Sequence, residues 1–421
     1  MSTFKKLRFA LSSYTDEHEL RVGKFFDGLR EHSSRIDVRL RLMKLLQTNI
    51  AVINLWTEYR YKGYVYLKKS ERKKLYANLA RIGEEFEQYR SDNTLDEAQV
   101  REAIHQHVGA RPEIQRATTL LQIMTYLSPQ RGLYEYRLSS SFGRLLRDPS
   151  TEKLVGDCNQ IVTLYIYLYS RYFDVNDLKV RLLPGHVALH FQGVDIEATT
   201  GKFADYSATE GASLQPIEEI VSVNLLDTTD ESFAKYDVSP NEFLQASRFA
   251  YILSHSRDIV THNLEAAYTK LVNTAMARND YDAALKFAQQ SRDMQLLSIV
   301  GHNGALYFMK HKEFVKSRKF ADHALKRADL IRDSYHAEGV YHYGKQRYHD
   351  AVKVFERVGD NKLVARCYEA LFFQEQSKLG NNVTSSTIKA HKSTVGTMTS
   401  YAKKSGNKKL IEYVESLRKH L

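Results

Sequence analysis

A long apolar segment, from Ile161 to Phe173, is the strongest constraint that this sequence places on its fold. It contains no glycine or proline and is too long for an ordinary strand, so it predicts a buried helix. Gly156-Asp157 stands just before it and marks the start of the helix, because an aspartate in this position is a favourable N-cap. Cys158 is therefore predicted to lie in the first helical turn, where unpaired N–H groups and the helix dipole stabilise a thiolate or an oxyanion.

Three short segments after this helix have the pattern of β-strands. They are Leu178–Leu183, His186–Phe191 and Val194–Thr199, separated by turns at Pro184-Gly185 and Gln192-Gly193. The last segment alternates apolar and polar residues, as a half-buried strand does. The sequence therefore predicts an antiparallel sheet with a tight hairpin between the second and third strands.

The predicted hairpin brings histidines and acidic residues together on one face. In the register that a two-residue turn sets, His190 lies opposite Asp195, and His186 is diagonal to Glu197. The sequence therefore offers two pairs of a histidine and an acid.

The order of these motifs resembles the transglutaminase-like superfamily. Gly-Asp-Cys at a helix start, a histidine opening a strand and an acid followed by Ala-Thr match its papain-like core, over Leu120 to Leu225 or about a quarter of the chain. The resemblance implies that Cys158 is a nucleophile, His186 its base and Glu197 the acid that orients the base.

The departures from the family pattern concern the acid. This chain has Glu197 where the family has aspartate and Ala198 where it has proline, so Asp195 is kept as an alternative third member. We interpret His190 as a surface or supporting residue. In papain-like folds a second oxyanion donor lies upstream of the nucleophile, and the candidates here are Tyr134, Tyr136 and Gln122.

A repeated pattern occupies the C-terminal part of the chain. Tyr281, Phe314 and Tyr348 are 33 and 34 residues apart, and a small residue follows each of them three positions later. The region therefore resembles tetratricopeptide repeats, in which the aromatic residue begins the second helix of each unit. The resemblance implies a concave groove that binds a protein or peptide. A last helix is predicted over Lys408 to Lys419, and the Ser-, Thr- and Asn-rich segment from Gly380 to Ser400 is predicted to be a loop.

The N-terminal part of the chain is predicted to be helical. Apolar residues recur with helical spacing over residues 1–110, and one helix has a capping-type start at Ser70. Tyrosines alternate with basic residues from Trp56 to Tyr66, which we interpret as a core helix rather than as a nucleic-acid stacking surface.

Together these patterns predict a multidomain, mainly α protein. An N-terminal helical region (1–112) precedes an α+β transglutaminase-like domain with a small antiparallel sheet (113–240). An α-solenoid of tetratricopeptide-like repeats with a capping helix (241–421) completes the chain.

The composition indicates the compartment in which the protein is expected and the kinds of partner that it is expected to bind. Cys158 and Cys367 are far apart, and the basic N-terminus lacks the apolar core of a signal peptide, so we expect a reducing, cytoplasmic location and no membrane span. The net charge is +11, but basic and acidic residues alternate over most of the chain, so nucleic-acid binding is not expected. No histidines have metal-ligand spacing, and neither a metal nor another cofactor is expected.

Two main functions are consistent with these features, beside a third hypothesis of a basic nucleic-acid binder built on the N-terminal helical region. The first is a thiol-dependent acyl-transfer enzyme, a cysteine peptidase or amidase that acts on protein or peptide amides through Cys158, His186 and Glu197. The alternative is a non-catalytic adaptor for protein–protein interaction that retains the fold without using the triad.

Overall fold

The computed structural model describes residue 9 and residues 12–64, 66–105, 113–138, 141–227 and 239–421. It is mainly helical with a small antiparallel sheet, which confirms the predicted class. The chain divides into two compact units, unit 1 (Met1–Ala267) and unit 2 (Tyr268–Leu421). The junction predicted at Arg111-Pro112 lies outside the described residues, and the division into three domains stays a prediction.

Five helices lie in the first described part of unit 1, from residue 12 to residue 127. They are Glu17–Asp27 (α1), Arg35–Tyr61 (α2), Lys69–Asp92 (α3), Glu97–His105 (α4) and Ile114–Tyr126 (α5). The predicted start at Ser70 was wrong, because α3 begins one residue earlier and its N-cap, Lys68, makes no side-chain cap hydrogen bond. Trp56, Tyr61 and Tyr64 are buried in the core, which confirms the interpretation of that stretch.

A fully buried ion pair joins α1 to α3. Arg72 Nε donates to Glu19 Oε1 at 2.6 Å, and Arg72 Nη2 donates to Glu19 Oε2 at 3.2 Å. The remaining groups of the pair are also satisfied, since Arg72 donates to the Leu67 and Ser13 carbonyls and Tyr76 donates to Glu19. Each buried charge therefore has an opposite charge and hydrogen bonds that offset the cost of removing it from water.

The α/β part of unit 1 follows in the chain. Its elements are Tyr134–Tyr136 (β1), Phe142–Leu145 (α6), Leu154–Gly156 (β2), Cys158–Ser170 (α7), Leu178–Leu183 (β3), His186–Phe191 (β4), Val194–Glu197 (β5), Lys202–Ala204 (β6), Ser213–Pro216 (β7), Glu219–Leu226 (α8) and Pro240–Leu253 (α9). Strands β3 to β7 form an antiparallel sheet in the order β6-β5-β4-β3-β7, and β1 pairs with β2 in parallel. One hydrophobic core joins these elements to the N-terminal helices.

A buried polar cluster fixes α7 against its neighbours. Asn54 of α2 and Asn224 of α8 both donate to Thr163 Oγ1 of α7 at 3.1 Å, and Asn224 also donates to Asn54 Oδ1 at 3.1 Å. Thr163 in turn donates to the Asn159 carbonyl at 2.9 Å, in the first turn of α7. The cluster therefore holds the turn that carries Cys158.

Helix α10 (Arg257–Ala277) passes from unit 1 into unit 2, and the other elements of unit 2 are also helices. They are Tyr281–Ser291 (α11), Met294–Lys310 (α12), Phe314–Ala321 (α13), Arg327–Gly344 (α14), Tyr348–Val358 (α15), Asn361–Ser377 (α16), Ser385–Ala390 (α17), Lys392–Ser405 (α18) and Lys408–Arg418 (α19). The predicted last helix is confirmed. The predicted loop over Gly380 to Ser400 is confirmed only for residues 380–384 and was wrong for the rest, because α17 and α18 follow and α18 buries Val395 and Met398 against α16 and α19.

The repeated aromatic residues each begin a helix, as predicted. Tyr281, Phe314 and Tyr348 are the first residues of α11, α13 and α15. Close helix contacts accompany them: a Cβ built on Gly304 would lie 2.3 Å from the Phe320 ring, and one on Gly339 would lie 2.5 Å from the Phe355 ring. Glycine is thus required at both positions for the helices to pack at this distance.

Candidate active site

Cys158 is the first residue of α7, as the sequence predicts. Asp157 is the N-cap and forms a capping box with Gln160, whose side chain accepts from the Asp157 N–H at 2.8 Å. The Asp157 carboxylate accepts from the Asn159 N–H at 3.1 Å. The Cys158 N–H points to no acceptor among the described residues, so it is the donor at this helix end that remains for a ligand oxygen.

His186 opens β4 and contacts the predicted acid. The β4–β5 pairing has His190 opposite Asp195, as predicted, which leaves His186 diagonal to Glu197. His186 Nε2 lies 2.6 Å from Glu197 Oε2. The other ring nitrogen, Nδ1, takes no part in this contact.

The charges of this group depend on one another. The nearby Cys158 side chain, followed by the hydrogen bond with Glu197, raises the pKa of His186 to about 10, although burial acts in the opposite direction. Burial acts to raise the pKa of Glu197, but hydrogen bonds from His186, Thr199 and Tyr206 lower it to about 2. The raised pKa of His186 and the lowered pKa of Glu197 both favour an imidazolium paired with a carboxylate at neutral pH.

Thr199, which belongs to the Ala-Thr motif, and Tyr206, which the sequence did not suggest, complete the surroundings of Glu197. The Thr199 N–H donates to Glu197 Oε1 at 3.0 Å, and the Thr199 hydroxyl donates to the same oxygen. Tyr206 Oη donates to Glu197 Oε2 at 2.8 Å, and the Tyr206 ring lies edge-on to the His186 ring, with centroids 6.5 Å apart. Strand β6 returns beside β5 and pairs Ala204 with Asp195. Tyr206 follows two residues after Ala204, which places it close to this pair.

Asp195, the alternative third member, contacts a different histidine. Asp195 Oδ1 lies 2.7 Å from His190 Nδ1, and both carboxylate oxygens accept from Arg181 Nε at 3.2 Å. Asp195 Oδ2 also accepts from the Tyr206 N–H at 2.9 Å. The second pair therefore supports the loop that carries Tyr206, and the structure brings Glu197 rather than Asp195 to His186.

The upstream oxyanion candidates lie in different places. Gln122 is part of the contact between α5 and the end of α3, since its amide donates to the Asn93 carbonyl at 2.8 Å. Tyr134 is buried and donates to the Gly156 carbonyl at 2.9 Å. Tyr136 is half-exposed, and the nearby Cys158 and Asp157 add to the effect of burial in raising its pKa. Of the three candidates, Tyr136 is the one with an exposed side chain.

Replacing Tyr206 by phenylalanine is expected to raise the pKa of Glu197 from about 2, because one of the hydrogen bonds that stabilise the carboxylate is lost. The lowered pKa contributes stability above pH of about 4.5 that is lost as the pH falls toward 2. Acid unfolding, followed by circular dichroism, should therefore begin at higher pH in the Tyr206→Phe variant. Tyr136→Phe is the control, and equal acid midpoints for Tyr206→Phe and the unsubstituted protein would contradict the role given to Tyr206.

Comparisons of this chain with protein-family models, with curated proteins and with solved structures find no match. Among the described residues, no group of three or more His, Cys, Asp or Glu side chains is arranged to hold a metal ion. Within the same part of the chain, no helix combines the length and the apolar character needed to cross a bilayer.

Proposed function

We propose that this chain is a thiol-dependent acyl-transfer enzyme, a cysteine peptidase or amidase that acts on protein or peptide amides. The observation that carries the proposal is the position of His186 between Cys158, at a helix N-terminus, and the buried carboxylate of Glu197. This is the arrangement of nucleophile, base and orienting acid that acyl transfer requires.

The proposed reaction begins from a Cys158 thiolate beside a His186 imidazolium. The Cys158 thiolate attacks the amide carbonyl carbon, and the Cys158 N–H donates to the oxyanion that forms. The C–N bond then breaks, and the leaving amine takes a proton from the His186 imidazolium. Neutral His186 next removes a proton from water, and the hydroxide attacks the thioester to release the acid and regenerate the thiolate. Glu197 holds the imidazole throughout and stabilises its charged form.

We further propose that unit 2 binds the protein or peptide whose amide is cleaved. A groove of about 970 Å³ lies along α13 and α14, with Val315 and Tyr341 among its apolar residues and Lys312 and Glu338 among its charged ones. A mixed apolar and charged lining suits a polypeptide, and hydrolysis is preferred over cross-linking because no site for an acceptor amine is apparent among the described residues.

The test is the rate of alkylation by iodoacetamide as a function of pH, resolved by mass spectrometry for each cysteine. Burial raises the pKa of Cys367 to about 11, so this residue is an internal control of low reactivity. We expect Cys158 to react at least about 100-fold faster than Cys367 at pH 6 to 7. His186→Ala should reduce the rate at Cys158 about tenfold or more, whereas His190→Ala, on the same face of the sheet, should not.

An ordinary thiol profile at Cys158, unchanged by His186→Ala, would overturn the proposal. In that case the non-catalytic adaptor would be the better account of the chain.

A further inference from the structure

The positive charge of this protein is concentrated in unit 2. Residues 268–421 contain 27 Lys and Arg against 15 Asp and Glu, whereas residues 1–267 contain 34 against 35. The excess that gives the whole chain a net charge of +11 therefore belongs to unit 2. The candidate active site lies in unit 1, so it does not account for this charge.

Within unit 2, one segment carries basic residues without any acidic ones. Residues 376–411 contain seven lysines and neither aspartate nor glutamate. Four of them, Lys403, Lys404, Lys408 and Lys409, flank the tight turn between α18 and α19, and all four side chains are exposed. No ion pair involves these four lysines among the described residues, and the neighbouring carboxylate of Glu369 accepts from Asn407 instead, at 2.7 Å.

The stability of helices α18 and α19 does not explain why these four lysines lie close together. Lys403 and Lys404 lie in the last turn of α18, where a cation is favourable. Lys408 and Lys409 lie in the first turn of α19, where the positive end of the helix dipole repels them. A cluster of like charges that partly opposes its own helix is suited to an anionic partner.

Tyrosine rings lie beside the lysines. The rings of Tyr368 and Tyr401 stack with centroids 6.0 Å apart, and Lys404 Nζ lies 5.2 Å from the centroid of Tyr368. Tyr401 Oη also lies 3.2 Å from His349 Nε2, which fixes the ring at the surface. We call these two tyrosines and four lysines (Lys403, Lys404, Lys408 and Lys409) the Lys–Tyr surface.

We propose that the Lys–Tyr surface binds single-stranded nucleic acid. Lysines around one turn can follow successive phosphates, and aromatic rings stack with unpaired bases, which is the combination that single-strand-binding proteins use. An acidic polypeptide would pair with the lysines, but it has no nucleobases that could stack on the tyrosine rings. An anionic bilayer favours exposed apolar side chains that insert, and the tyrosines of this surface are half-buried and held by their neighbours.

The experiment measures binding of the full chain to a fluorescein-labelled 20-nucleotide oligouridine by fluorescence anisotropy, over a range of salt concentrations. The variant Lys403→Gln/Lys404→Gln/Lys408→Gln/Lys409→Gln should lower the slope of log affinity against log salt by up to about 3, since each phosphate contact on a single strand contributes about 0.7. The control replaces four dispersed, exposed lysines of unit 2, Lys286, Lys310, Lys345 and Lys353, with glutamine and changes the net charge equally. This control should change the slope by less than half as much.

A second pair of variants tests the stacking. Tyr401→Leu should weaken binding about tenfold, whereas Tyr401→Phe, which keeps the ring, should bind as the unsubstituted protein does. The proposal is overturned if the two lysine variants lose affinity equally, or if Tyr401→Leu and Tyr401→Phe bind alike. It is also overturned if polyglutamate or phosphatidylserine vesicles compete with the oligonucleotide at equal charge, which would assign the surface to an acidic protein or a bilayer.

Discussion

Replacing Cys158 by alanine is expected to abolish the burst of p-nitrophenolate that the protein releases from p-nitrophenyl acetate. The thiolate of Cys158 attacks this activated ester, and the acetyl thioester that forms is hydrolysed more slowly than p-nitrophenolate is expelled. One equivalent should therefore appear in the burst, and the rate of the burst should fall about 10³-fold or more in Cys158→Ala. The measurement is stopped-flow absorbance at roughly 400 nm, where p-nitrophenolate absorbs.

The matched control is Cys367→Ala, which removes the other cysteine of the chain and should leave the burst unchanged. Cys367 is buried within unit 2, so a burst that depended on it would have no relation to the candidate site. A burst of equal size in Cys158→Ala would exclude Cys158 as the nucleophile.

Replacing Arg72 by methionine is expected to lower the free energy of unfolding of unit 1 by about 3–5 kcal/mol. The substitution leaves the Glu19 carboxylate fully buried without its cation, and it removes the hydrogen bonds to the Leu67 and Ser13 carbonyls. Trp56 is the single tryptophan of the chain, and the centroid of its ring lies 5.5 Å from Arg72 Cζ. Its fluorescence as a function of urea concentration therefore follows the unfolding of unit 1.

Two controls separate the lost charge pair from the lost side chain. Arg101→Met breaks an exposed pair with Glu97 and should cost less than about 1 kcal/mol. The double variant Glu19→Met/Arg72→Met removes both charges and should recover part of the loss. A cost for Arg72→Met no larger than that for Arg101→Met would show that the buried pair does not support unit 1.

Short-range patterns predicted the centre of the candidate site. The helix start at Cys158 follows from Gly156-Asp157 and the apolar run, and the two-residue turn at Gln192-Gly193 sets the register of His190 with Asp195. Both depend on residues close in sequence, for which periodicity and turn chemistry are informative. Tyr206 was missed because its two contacts, with Asp195 and with Glu197, require β6 to return beside β5.

Long-range packing explains the other misses. The segment that became α18 contains several serines and threonines, which indicate a loop, yet Val395, Met398 and Ala402 recur on one face and are buried by α16 and α19. The net charge is an average over the chain, so it does not reveal that residues 376–411 lack acidic side chains. Only the fold shows that Tyr368 of α16 stacks on Tyr401 of α18, with Lys404 over its ring, beside the turn that the four lysines flank.

The buried cluster of Asn54, Thr163 and Asn224 has a consequence for how this protein selects one native structure. Helices α2, α7 and α8 are largely apolar where they meet, and apolar surfaces of this kind tolerate sliding and rotation with little change in buried area. A rotated α7 would leave two buried amides without partners, each costing about 1–3 kcal/mol. The cluster therefore discriminates against misaligned packings, so that the first turn of α7, which carries Cys158, has a single orientation in the folded protein.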